Sequence, residues 1–134
     1  MCMAVYLATA LPLPEAERAP LRVEPATEET AKRLARHLSL PHVYFVASHE
    51  GCGCGFVLDH GDGTDEDCSE RQASALALSE LVAEVARRGR AEILVCIDGR
   101  EEEAPERTST LEGEEPLEVR WNERALYRVG DFAR

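Results

Sequence analysis

The amino-acid sequence predicts an α+β fold, one mixed or antiparallel sheet with two helices packed on it, on three observations. Residues 2–9, 42–48 and 91–98 are short runs that are apolar on both alternating faces, as strands covered on both sides are. Residues 27–38 and 70–88 repeat apolar side chains at helical spacing between recognisable caps. With a short strand at Phe56-Val57-Leu58, the order becomes strand, helix, strand, strand, helix, strand. That order suggests a split β-α-β arrangement of ferredoxin-like type, βαββαβ, followed by a C-terminal hairpin.

In the first strand Met3, Val5 and Leu7 take one face and Ala4, Tyr6 and Ala8 the other. Residues 11–25 hold Pro12, Pro14, Pro20 and Pro25, which exclude regular helix and central strand and mark a surface connection. The first helix has Thr27 as its N-cap, Glu28 and Glu29 where the dipole favours acids, and Ala31, Leu34, Ala35 and Leu38 as its apolar face. Pro41 closes it. In the second helix Ser69 and Gln72 form a capping-box pattern, and Gly89 supplies the C-cap. Its stripe is Leu78, Leu81, Val82 and Val85, while Leu76 lies off the stripe. In the strand 91–98, Ile93, Val95 and Ile97 oppose Leu94 and Cys96, and Asp98-Gly99 ends it in a turn. Residues 100–116 read as acidic and irregular, and residues 117–121 and 125–129 as a final hairpin around Asn122-Glu123.

A chain of 134 residues without repeat or linker fits a single domain over residues 1–134, long enough for a hydrophobic core. Hydrophobic residues make up 44% and charged residues 31%, the globular range. The formal charge of −11 repels polyanions, so nucleic acid and anionic membrane are poor partners, whereas a cation, a basic protein or a small ligand fits. No apolar run approaches the roughly 20 residues of a membrane span. Ala8-Thr9-Ala10 mimics a signal-peptidase site, but no basic segment precedes it, so the expected location is the cytoplasm. Five cysteines, Cys2, Cys52, Cys54, Cys68 and Cys96, are an odd count that argues against a secreted disulfide framework. Thiols, metal ligands or redox pairs remain, and Cys96, in mid-strand between Val95 and Ile97, reads as core.

The segment that departs from ordinary fold-building sequence is Ser48-His49-Glu50-Gly51-Cys52-Gly53-Cys54-Gly55-Phe56. Imidazole and thiolate are the ligands zinc prefers, and it usually takes four, so His49, Cys52 and Cys54 are candidate metal ligands, with His60 or Cys68 available to complete the set. The Cys52-Gly53-Cys54 spacing is tighter than the usual C-x₂₋₄-C pair. The same residues suit thiol chemistry: two cysteines one glycine apart could close a strained, labile disulfide, and a protonated His49 or the N–H groups of the turn would favour a thiolate. Glu50 would then be a nearby proton acceptor. The glycines could also gather backbone N–H groups around an anion, although no P-loop or dinucleotide fingerprint is present. The plain alternative is a glycine turn or bulge between two strands with the cysteines as small hydrophobes. Against it stands the joint presence of His, Glu and two Cys, which a turn does not require. The acidic loop from Asp59 to Asp67 carries Gly61 and Gly63 where a calcium loop needs oxygen ligands.

The opening Met1-Cys2-Met3-Ala4-Val5-Tyr6-Leu7-Ala8 and the block from His42 to Phe56 resemble segments of small, uncharacterised bacterial proteins that carry the same SHEGCGCGF string. The resemblance implies a bacterial, cytoplasmic origin and brings with it no activity, substrate or cofactor. The expected function is a small metal-binding or reactive-thiol site formed by His49, Glu50, Cys52 and Cys54, with zinc as the metal. The alternative is a non-catalytic interaction or dimerisation module, in which a sheet edge or the Leu76 face meets a partner or a second copy.

Overall fold

A computed structural model describes residues 3–14, 18, 21–48, 65–97, 99–111 and 124–130, with only the backbone of residues 65–69, 71 and 111. The apolar runs become strands: β1 (Met3–Thr9), β3 (His42–Ala47) and β4 (Ala91–Ile97). The helical segments become α1 (Glu28–Leu34) and α2 (Asp65–Arg88). Three further strands are β2 (Arg22–Pro25), β5 (Arg107–Leu111) and β6 (Ala125–Val129). The strands form one six-stranded sheet in the order β2-β3-β1-β4-β6-β5. Neighbours are antiparallel except β5 and β6, which run parallel, so the sheet is mixed and the fold is α+β.

Alternation along the central strands feeds two cores. Met3, Val5, Leu7, Val46, Ile93 and Val95 pack with Leu78, Leu81, Val82 and Val85 of α2. Ala4, Tyr6, Ala8, Leu94, Cys96 and Leu126 pack with Leu34, Leu38 and Leu40 from α1 and the turn after it. The helices therefore cover opposite faces, which is why the central strands are apolar on both. Each fully buried leucine or valine contributes on the order of 1.5–3 kcal/mol of hydrophobic stabilisation. Thr27 caps α1 as expected: it is extended, at φ −65 and ψ 156, and its side chain accepts from the Thr30 N–H.

The ferredoxin-like arrangement is not confirmed. A split β-α-β unit sets the strands flanking its helix parallel, with another strand between them. Here β3, which follows α1, is the direct antiparallel neighbour of β1, with Val5 opposite Val46 and Thr9 opposite His42. The cause is β2. It pairs with the outer edge of β3, Pro25 opposite Tyr44, and so delivers the chain to the end of the sheet where β3 begins. The helix and the segment behind it are thus an out-and-back excursion over one face rather than a crossover. Parallel strands with one strand between them are β1 and β2, joined by residues 10–21, β1 and β6, and β3 and β4, which flank α2 with β1 between them, so the split β-α-β relation holds around the second helix and not the first.

Other boundaries move for local reasons. The proline-bearing stretch 11–25 contains β2, an edge strand whose Pro25 stands at its last position, where a missing N–H is tolerated. The helix read as 70–88 begins at Asp65, so Ser69 lies inside it rather than at its cap. Asp65 and Glu66 suit the first turn through the helix dipole. Gly89 follows the helix without positive φ, which among the described glycines only Gly99 (φ 89) and Gly130 (φ 104) adopt. The stretch 100–116 includes β5. In the expected final hairpin, residues 125–129 are a strand, β6, but it lies between β4 and β5, and residues 117–121 lie outside the described residues.

Candidate functional site

His49, Glu50, Cys52 and Cys54, the residues singled out by the sequence, lie outside the described residues, as do Cys2, His60 and Asp98. Cys68 is in the first turn of α2, where only the backbone is described. Cys96 is buried on the α1 face of β4, 6% exposed and not in a disulfide, as its mid-strand position suggests. Among the described residues no group of three His, Cys, Asp or Glu side chains comes together that could hold a metal ion.

The structure does describe the place from which the 49–54 block departs. β3 is an interior strand, flanked by β2 and β1, and the residue after it, Ser48, is 3% exposed. The antiparallel registers Val5 with Val46 and Met3 with Ile97 bring three chain ends to one end of the sheet: the start of β1, the end of β3 and the end of β4. α2 begins toward that same end, because its last turn leads directly into the first residue of β4, at the opposite end.

Close by stands a buried carboxylate. Glu101, in the turn after β4, is 5% exposed, and its Oε1 accepts from the Tyr6 hydroxyl at 3.0 Å and the Gly99 N–H at 3.2 Å. Arg33 Nη1 of α1 lies 3.8 Å from Oε2, and the same guanidinium approaches Glu29 at 3.9 Å and Glu102 at 3.7 Å. Tyr6 in turn packs against Phe45, ring centroids 5.8 Å apart and tilted by 58°. One carboxylate thereby ties a strand, a helix and a turn together, with charge and hydrogen bonds offsetting its desolvation.

At the other end of the same face is a second buried carboxylate, Glu92 of β4, with no exposure. Its Oε1 accepts from Ser39 N–H at 2.7 Å, Leu40 N–H at 2.9 Å and Ser39 Oγ at 3.1 Å, and its Oε2 is 3.5 Å from Arg128 Nε of β6. It satisfies backbone donors of the α1–β3 connection that otherwise lack partners in the core. Both arrangements hold the fold.

The sequence held a usable sign of Glu92: it is the one charged residue in an otherwise apolar strand, in phase with Leu94 and Cys96. Glu101 carried none, being one of three consecutive glutamates in a stretch read as irregular. No protein-family model, curated protein or solved structure matches the chain. Among the described residues no helix is long and apolar enough to cross a membrane.

Proposed function

We propose that residues 49–54 form a small metal-binding site, with His49, Cys52 and Cys54 as ligands and Glu50 as a nearby proton acceptor. The observation that carries this reading is the gathering of one imidazole and two thiols within six residues of glycine-spaced chain. Thiolate and imidazole together favour zinc over hard cations. The glycines allow a tight C-x-C bite that side chains larger than hydrogen would obstruct. Cys2 offers a fourth ligand beside His60 and Cys68. It is bonded to Met3, which begins β1 at the end of the sheet where Ser48 follows β3, so both segments are anchored to rigid, paired strands. The metal would close the connection between β3 and α2.

Elemental analysis of protein purified without chelator tests this reading, with wild type beside Cys52→Ser/Cys54→Ser. The expected result is about one zinc per chain in the wild type and none in the variant. Metal-free wild type, or metal retained by the variant, overturns it. A metal-free protein with one abnormally fast-reacting thiol would put the thiol reading in its place.

One observation favours a second reading, a non-catalytic interaction module: Leu76 stands 61% exposed on α2. A concentration-dependent dimer that is lost in Leu76→Ser would support it, and a monomer at all concentrations would refute dimerisation through this face.

A further inference from the structure

The two edges of the sheet differ in how they meet a further strand. β2 forms one edge with four residues that end in Pro25, and its exposed Arg22 and Glu24 approach each other at 3.4 Å. A short edge with proline and charge discourages pairing with another chain. β5 forms the other edge, and its inner side pairs with β6 from Arg107 opposite Ala125 to Leu111 opposite Val129. Among the described residues no strand pairs with its outer side, so the alternate N–H and C=O groups there are offered outward. Arg107 on one face and Thr108 and Thr110 on the other are exposed. The strand holds no proline, and its one charge stands at its first position. Threonine favours the strand conformation, so β5 has the features of an edge that accepts a partner.

The strand is complementary to itself. Two copies set antiparallel about a two-fold axis at Ser109 bring Thr108 of each opposite Thr110 of the other, a cross-strand pairing that threonine hydroxyls stabilise. Arg107 comes opposite position 111, and the two Arg107 residues stand roughly 13 Å apart along the strands. No like charges face each other within the pair. This matters because the chain carries a formal charge of −11, which opposes self-association wherever acids meet. β5 contains no acid. Glu106 and Glu112 flank it in the sequence, and the Glu106 carboxylate is already met by Arg124 Nη1 at 2.8 Å.

We propose that β5 is an interface strand, along which two copies of the chain join antiparallel and make one continuous sheet of both. The proposal rests on the interaction reading, with β5 rather than the Leu76 face as the contact, and needs no metal at residues 49–54. Backbone hydrogen bonds supply the attraction, and the threonine pairs with the placement of Arg107 set the register.

The test is sedimentation of the full chain over a dilution series. The wild type is expected to show a concentration-dependent dimer. Thr108→Lys/Thr110→Lys sets lysine opposite lysine in the pair and should abolish it. That variant also lowers the net negative charge, which would strengthen any non-specific association. Thr108→Lys/Thr110→Glu sets each lysine opposite a glutamate and should restore the dimer, separating repulsion across the interface from damage to the strand. Wild type that is monomeric at every concentration overturns the proposal, and dimerisation by any face with it. A dimer that survives Thr108→Lys/Thr110→Lys overturns this interface alone, and its loss in Leu76→Ser would then leave the Leu76 reading standing. A dimer abolished in both double variants overturns the antiparallel pairing about Ser109.

Discussion

The Tyr6 hydroxyl donates a 3.0 Å hydrogen bond to Glu101 Oε1, joining residues 95 apart in the chain within a buried environment. Tyr6 belongs to a central strand and Glu101 to the turn that leads toward β5, so this bond holds the turn to the sheet. Tyr6→Phe removes the donor and leaves the carboxylate with Gly99 N–H and the distant Arg33. A loss of about 1.5–3 kcal/mol is expected in urea unfolding, the range for bonds to charged groups. An unchanged midpoint would show that the turn is held by other contacts.

Glu92→Ala should be the more damaging change. It removes the acceptor for Ser39 and Leu40 and the partner of Arg128, leaving buried donors behind. Breaking a buried pair from one side costs about 3–5 kcal/mol. Glu92→Gln retains an acceptor oxygen and loses the charge, so its cost should fall between wild type and alanine. Equal stability of Glu92→Gln and Glu92→Ala would mean that the ion pair, rather than the accepted N–H groups, carries the effect.

Neighbouring leucines of α2 should respond oppositely. Leu78 has no exposure and Leu76 is 61% exposed. Leu78→Ala is expected to cost about 2–5 kcal/mol. Leu76→Ser should stay within about 0.5 kcal/mol of wild type in a monomer. Thermal melts of both variants check the pair, and a large effect at Leu76 would reveal a contact outside the described residues.

Arg124 precedes β6 at φ 57, in the left-handed region, the sole non-glycine there among the described residues. It is held by two contacts to Glu106: Arg124 Nη1 to Oε1 at 2.8 Å, and the Glu106 N–H to the Arg124 carbonyl at 2.7 Å. These fix the starts of the parallel strands β5 and β6. Arg124→Gly relieves a backbone cost of roughly 1 kcal/mol while removing an exposed ion pair of similar or smaller size. Its unfolding midpoint should therefore match or exceed that of wild type, and a marked drop would show the ion pair to be the stronger term.

Which parts of this fold were legible follows from what leaves a periodic trace. β1, β3 and β4 are apolar on two faces because helices cover both, and their runs in the sequence are unmistakable for that reason. Thr27 showed itself as a cap through the acids behind it. β5 left no trace: its Thr108 and Thr110 are exposed, and a polar edge strand has no buried face to alternate against. The sheet order escaped because β2, four residues ending in proline, changes the direction in which β3 arrives, and nothing in four such residues announces a pairing. At the candidate site the residue types of His49, Cys52 and Cys54 were legible, whereas a metal site depends on how the chain brings ligands together, which their spacing in the sequence does not fix.

Cobalt(II) substitution tests that gathering most directly. The wild-type protein should take up about one cobalt per chain and develop a thiolate-to-cobalt charge-transfer band. The band should be lost in Cys52→Ser/Cys54→Ser, weakened or shifted in His49→Ala, and unchanged in Cys96→Ala, whose thiol is buried in the core against α1. No thiolate band in the wild type, or a band indifferent to loss of Cys52 and Cys54, would contradict the metal site.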